Sequence, residues 1–101
     1  MSGSNISSKM DNDRLVIFSV RIPFRDGKIH KSSVSMDGFL AECLVGALGN
    51  HAEATKWVEI HAIQIREAAQ HDKRIRRVGV SRLVQREALK LVLKNGHPEN
   101  N

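Results

Sequence analysis

In residues 29–44 the apolar residues change, without a break, from the two-residue spacing of a strand to the spacing of a helix. This change restricts the fold more than any other feature of the sequence. In the first half, Val34 and Met36 alternate with serines, as in a half-buried strand. In the second half, the apolar residues follow helical spacing. The stretch therefore predicts a strand over 29–36 that runs directly into a helix over 37–48.

One face of the predicted strand is polar and exposed to solvent. If Val34 and Met36 point into the core, Lys31, Ser33 and Ser35 lie together on the opposite face, because strand side chains alternate. A cation beside small hydrogen-bonding groups suits an anionic partner, although an ordinary half-exposed strand has the same pattern.

A second strand is predicted over residues 14–24, which are rich in β-branched and aromatic side chains. A two-residue turn at Asp26-Gly27 would mix polar and apolar side chains on both faces of the resulting hairpin. A three-residue loop, Arg25-Asp26-Gly27, with Gly27 in the left-handed conformation, makes one face apolar and the other polar. Since a slip by one residue would expose the hydrophobic set, the sequence predicts the three-residue loop.

This register sets two cations side by side. The predicted cross-strand pairs are Arg21 with Lys31, Ser19 with Ser33, Phe18 with Val34, and Val16 with Met36. Like charges directly opposite one another are unfavourable in isolation. The pair is tolerable in solvent, and it is useful if an anion lies between the two side chains.

Three helices are expected, over 37–48, 52–70 and 82–94, with Ser81 as the N-cap of the third. The stripe of the first helix is Met36, Phe39, Leu40, Cys43, Leu44, Ala47 and Leu48. The stripe of the second is Ala54, Trp57, Val58, His61, Ala62, Ile65 and Ala69, which leaves Ile60 and Ile63 outside it. The stripe of the third is Leu83, Val84, Ala88, Leu91 and Val92. The fold class expected is α+β, mainly α: an N-terminal hairpin followed by three helices.

The chain has 101 residues, which is the size of one small domain, and its formal net charge is +5. Excess positive charge favours polyanionic partners, above all nucleic acid. A disulfide within the chain is excluded because Cys43 is its one cysteine, and no apolar run is long enough for a membrane span, so a cytoplasmic protein is expected. A polar tail over 1–13 and a frayed tail over 96–101 should flank a single domain over 14–95.

No active site is recognisable in the sequence. It has no zinc-type spacing of Cys and His, no glycine-rich phosphate loop and no tyrosine, and its five histidines are scattered. His30 and Ser32 lack an orienting carboxylate. We therefore expect no enzyme activity, no metal site and no cofactor.

The order of polar-faced strand, helix, glycine-containing turn and helix over residues 29–69 resembles the ribbon-helix-helix family of DNA-binding proteins. The segment from Gly79 to Leu93, with a capping Ser81 and an Arg86-Glu87-Ala88-Leu89 core, is also similar to the second helix of many members of this family. The resemblance implies a dimer that lays a two-stranded ribbon in the major groove of double-stranded DNA and clamps phosphates with a helix N-terminus. It implies a small transcriptional repressor or a DNA-binding accessory factor of a bacterial mobile element.

Carried over to this chain, the family pattern gives base-reading positions at Lys31, Ser33 and Ser35 and a phosphate clamp around Asn50, His51 and Ala52. The basic residues expected to contact DNA beside them are Arg21, Arg74, Arg76, Arg77 and Arg82.

Three alternatives stay open. Ile75 to Val80 could form a vestigial second ribbon strand of a duplicated unit. The last two helices could form a helix-turn-helix that reads DNA with Arg82, Gln85 and Arg86. The protein could instead be an antitoxin-like or assembly adaptor that presents Ile60 and Ile63 to a protein partner.

Overall fold

A computed structural model describes residues 14–95. The elements are β1 (Leu15–Pro23), β2 (Ile29–Asp37), α1 (Gly38–Leu48), α2 (His51–Ala69), α3 (Lys73–Val78) and α4 (Val80–Asn95). This hairpin followed by helices confirms the predicted fold class, with one more helix than expected. The tails predicted over 1–13 and 96–101 lie outside the described residues.

The hairpin has the predicted register. Arg21 pairs with Lys31 and Phe18 pairs with Val34 in an antiparallel ladder. Gly27 has a φ of 82°, the left-handed conformation that the three-residue loop requires. The loop is closed by the Gly27 N–H, which donates to the carbonyl of Phe24 (3.0 Å).

The inner face of the hairpin forms one side of a single hydrophobic core, and helices α1, α2 and α4 form the other. The buried hydrophobic residues are Phe18, Val20, Ile22, Val34, Met36, Ala41, Leu44, Ala54, Val58, Ala62, Val84 and Ala88. The helices contribute mostly Ala and Val to this core, and such small side chains let helix and ribbon backbones approach closely.

Side chains of two helices bind the hairpin's edges. The Arg21 N–H on the free edge of β1 donates to Glu59 Oε2 of α2 (2.6 Å). On the free edge of β2, the Ser35 N–H donates to Ser81 Oγ (3.0 Å) and the Asp37 N–H donates to Gln85 Oε1 (2.8 Å). These bonds satisfy strand groups that could otherwise pair with another chain.

β1 runs parallel to α2 along its whole length. The contacts in order are Phe18 with His51, Arg21 with Glu59, Phe24 with Arg66, and Arg25 with Gln70. The N-terminus of α2 therefore lies at the open end of the hairpin and its C-terminus lies beneath the turn.

The predicted stripe of α1 is wrong at two positions. Phe39 is 68% exposed and Ala47 is also exposed. Leu44 of the stripe is buried as predicted, and Ala41, which lies outside the stripe, is buried as well. Almost every residue of α1 is apolar, so periodicity could not fix which side faces inward. The N-cap fixes it instead: Asp37 Oδ2 accepts a hydrogen bond from the Leu40 N–H (3.0 Å) where β2 enters the helix.

Two expectations for residues 72–81 are also wrong. The basic connection contains the short helix α3, so Ile75 to Val80 is not a ribbon strand. Asp72 caps α3, and Gly79 ends it with a φ of 96°. Ser81 lies inside α4 rather than at its N-cap, and its hydroxyl instead accepts the Ser35 N–H.

No helix within residues 14–95 is both long enough and apolar enough to cross a membrane.

The phase of α1 predicts unequal costs for two truncations. Leu44→Ala should lower the free energy of unfolding by about 2–5 kcal/mol, since Leu44 is fully buried. Phe39→Ala should change it by no more than about 0.5 kcal/mol, because most of the ring is exposed. Urea unfolding followed by circular dichroism measures both values, and a larger loss for Phe39→Ala would contradict the observed phase.

Candidate nucleic-acid interface

The outer face of the hairpin carries the predicted polar row. Arg21, Lys31 and Ser33 are exposed, and Ser19 is exposed opposite Ser33. Ser35 is half-buried, because its backbone is bound to α4. Four of the side chains thus point to solvent in two adjacent cross-strand pairs.

Arg21 and Lys31 are directly opposite one another. The Arg21 N–H points away from β2, so this is a non-hydrogen-bonded pair, the kind whose side chains come closest. Neither side chain forms an ion pair with any carboxylate of the described residues. Glu59 of α2 uses Oε2 to accept the Arg21 backbone N–H. The face therefore concentrates positive charge on two neighbouring flexible side chains.

The prediction of an entirely polar outer face is wrong at three positions. Leu15, Ile17 and Ile29 lie on it and are exposed, by 57% in the case of Ile17. Leu15 and Ile17 occupy the open end of the hairpin, while Ile29 lies beside the turn. The face thus has an apolar open end and a cationic half near the turn.

Cations from four elements converge on the turn, and we call this region the basic end. Its members are Arg21, Arg25, Lys28, Lys31, Arg66, Lys73, Arg74, Arg76 and Arg77, more than half of the sixteen Lys and Arg residues of the chain. Observed contacts bring three of them together. Arg25 Nη2 donates to Gln70 Oε1 of α2 (2.9 Å), and Arg66 and Arg76 line the same cleft as Arg25.

Few of these cations are neutralised. Within the described residues the basic end has one Arg–carboxylate contact, Arg74 Nε to Asp72 Oδ1 at 3.5 Å. Asp72 is the α3 N-cap, and the Arg74 N–H, 2.9 Å from Oδ1, holds the pKa of that carboxyl below its usual range. The basic end therefore presents an excess of exposed positive charge.

The structure places the other predicted contacts unequally. Arg74, Arg76 and Arg77 are exposed on α3 at the basic end. Arg82 is exposed in the first turn of α4, next to the residue that binds the edge of β2.

Asn50 and His51 lie at the far end of α2, a helix of 19 residues and hence about 28 Å long. Asn50 Oδ1 accepts the Glu53 N–H (2.9 Å), and the His51 ring stacks on Phe18 at 5.4 Å between centroids. The Glu53 carboxylate in the first turn disfavours an anion there. The structure thus does not bring the predicted phosphate clamp together with the basic end.

Some residues of the two alternative interfaces, the helix-turn-helix and the adaptor surface, are already engaged within the fold. Gln85 Oε1 already accepts the Asp37 N–H, and α3 lies between α2 and α4, where a helix-turn-helix needs a tight turn. Ile63 is half-buried against the core, so an adaptor surface on α2 retains Ile60 alone of the two predicted isoleucines.

Sequence reasoning missed Arg25 and Arg66. The predicted loop already placed Arg25 at the hairpin tip, which was a usable signal. Arg66 lies with its guanidinium carbon 4.6 Å from the centroid of the Phe24 ring, a contact across 42 positions of sequence that no local pattern reveals.

His30 has a carboxylate partner that the sequence did not indicate, since its Nε2 lies 3.3 Å from Asp26 Oδ2. Among residues 14–95, no three His, Cys, Asp or Glu side chains come together in a group that could hold a metal ion.

The chain matches no protein-family model, no curated protein and no solved structure.

The loop at the basic end predicts a pH dependence. The Lys28 N–H donates to Asp26 Oδ1 (2.8 Å), and this bond, with help from His30, holds the pKa of the Asp26 carboxyl below its ordinary value of 3.8. Because the pKa is lower in the folded state, the stabilisation is present at neutral pH and is lost as the pH falls through the folded-state pKa.

An NMR titration of the Lys28 amide proton measures this effect. We expect a midpoint below 3.8 and no such step in the Asp26→Asn variant. A midpoint at or above 3.8 would show that the hydrogen bond does not favour the carboxylate.

Proposed function

We propose that this protein binds double-stranded DNA in a sequence-specific manner through the outer face of its hairpin. The observation that carries the proposal is the unneutralised Arg21–Lys31 pair beside Ser19 and Ser33 on an exposed two-stranded ribbon. Two like charges held opposite one another in the free protein gain most from a ligand that places negative charge near both.

The dimensions of the ribbon favour duplex DNA. A two-stranded antiparallel ribbon fits the major groove, where lysine, arginine and serine side chains can bind base edges. Because the edges of this hairpin are bound to α2 and α4, its outer face is the surface through which it would enter the groove. Ile17 and Ile29 on that face could contact thymine methyl groups.

The α3 arginines of the basic end supply the sequence-independent part of binding. These exposed arginines would contact phosphates, which position a protein on DNA without reading sequence. Each neutralised phosphate releases counterions, so affinity should fall steeply as salt concentration rises.

One hairpin reads few base pairs, and a two-fold dimer doubles the length of the site. The exposed apolar side chains Phe39, Ile60, Leu89 and Leu93 offer surface for a second copy. A dimeric, cytoplasmic repressor or DNA-binding accessory factor is the role that these features support best.

Competition titrations with variants test this proposal. Lys31→Ala and Ser33→Ala should reduce the preference for a selected site over random DNA, by about 1–3 kcal/mol if the lost contact is a good one. Arg76→Ala or Arg77→Ala should weaken both DNAs by similar factors and make the salt slope shallower by about 0.9 per lost phosphate contact. Fluorescence anisotropy at several salt concentrations measures both effects.

Arg86→Ala is the matched control, because Arg86 is an exposed arginine that belongs to α4 and not to the ribbon. If Arg86→Ala loses the preference for the selected site while Lys31→Ala and Ser33→Ala keep it, the residues that read sequence lie on α4. Absence of duplex binding by the unaltered protein at low salt would overturn the proposal.

A further inference from the structure

A cleft of about 830 Å³ lies beneath the hairpin turn, between the turn, the C-terminal end of α2, and α3. It is distinct from the Arg21–Lys31 pair of the outer face, because β1 lines it with its end, Ile22 and Pro23, and neither Arg21 nor Lys31 lines it. Three arginines from three different elements border it: Arg25, Arg66 and Arg76.

Two of these arginines are held in place by uncharged groups. Arg25 Nη2 donates to the amide oxygen of Gln70 (2.9 Å). The Arg66 guanidinium lies over the Phe24 ring at 4.6 Å, and the His30 ring contacts the same phenyl group, with 4.1 Å between centroids. A guanidinium stacked on a ring keeps the N–H donors in its plane available. The side chains are thus oriented while their charges stay uncompensated.

The acids of the cleft do not neutralise these arginines. Asp26 accepts the Lys28 N–H and lies against His30. Within residues 14–95, the carboxylate of Glu67 forms no ion pair with a cation. With three arginines against two carboxylates, the charge of the lining favours an anion.

We propose that this cleft binds a phosphate group, with Arg25, Arg66 and Arg76 as its ligands. A planar guanidinium can donate two parallel N–H bonds to two oxygens of one phosphate. Two of the three arginines, Arg25 and Arg66, are already held in position by neighbouring groups. The phosphate has two conceivable sources. One is the DNA backbone beside the ribbon, in which case the inference rests on the proposed function; the other is a small phosphorylated ligand.

The test compares a cleft variant with a control variant of equal charge. The cleft variant combines Arg25→Gln with Arg66→Met, which keeps a long apolar side chain over Phe24. The control combines Lys56→Gln on α2 with Lys94→Gln on α4, two exposed cations that do not line the cleft. The probes are a labelled mixed-sequence duplex, followed by anisotropy, and sodium pyrophosphate, followed by the NMR signals of the amides at 24–28. The unperturbed amide signals of β1 and β2 verify that both variants are folded.

For a backbone phosphate, we expect duplex affinity to fall at least fivefold in the cleft variant and less than twofold in the control. For a small phosphorylated ligand, duplex affinity should be equal in both variants, and pyrophosphate should shift the 24–28 amides of all proteins except the cleft variant. If the cleft variant behaves like the control with both probes, the phosphate cleft is overturned and duplex binding still stands. If the unaltered protein binds pyrophosphate in the cleft but no duplex, the cleft stands and the proposed function is overturned.

Discussion

The register of the hairpin determines which side chains form the core and which face solvent. It is set by the loop Arg25-Asp26-Gly27, where Gly27 adopts a positive φ and the Asp26 carboxylate accepts the Lys28 N–H. A shift by one residue would turn Phe18, Val20 and Ile22 toward solvent, and the core would lose one of its sides. The three-residue loop therefore determines both the core and the composition of the outer face.

The helices follow from that register. With the inner face covered, the unpaired groups along the strand edges still need hydrogen-bond partners, and side chains of α2 and α4 supply them at Arg21, Ser35 and Asp37. The Arg21–Glu59 bond holds β1 alongside α2, and the C-terminal end of α2 then lies under the turn, where Gln70 accepts a hydrogen bond from Arg25. Arg66 and the arginines of α3 thereby reach the hairpin tip. The concentration of positive charge at one end of the molecule is thus a consequence of how the hairpin packs against α2 and α4.

The sequence contained enough information for the hairpin, because burying the apolar set on one face selected the register. It also located α2 and the stripe of α4 within a residue or two, since polar and apolar residues separate clearly there. It located the inner side of α1 less accurately, because the residues of that helix are apolar on nearly every side: Leu44 is buried as predicted, but the predicted core residue Phe39 is exposed. A capping role for Ser81 followed from a local rule, but the hydroxyl is used by a strand 46 residues away.

The candidate site was predictable to the same extent. The pairing of Arg21 with Lys31 follows from the three-residue loop and the alternation of strand side chains, and the structure pairs the two residues as expected. The basic end was only partly visible, because α3 read as an irregular connection and the contact between Arg66 and Phe24 depends on tertiary packing. Asn50 and His51 were grouped with the ribbon by family resemblance, and His51 does stack on Phe18 of β1. The length of α2 nevertheless separates both residues from the basic end.

If the outer face of the hairpin contacts DNA, duplex binding must change the surroundings of its backbone amides. A titration of the ¹⁵N-labelled protein with duplex DNA, followed by backbone amide chemical shifts, measures this change. We expect the largest shifts at residues 19–21 and 31–33, with smaller ones on α3. Shifts concentrated on residues 82–90 of α4, with 19–21 and 31–33 unchanged, would contradict DNA contact through this face.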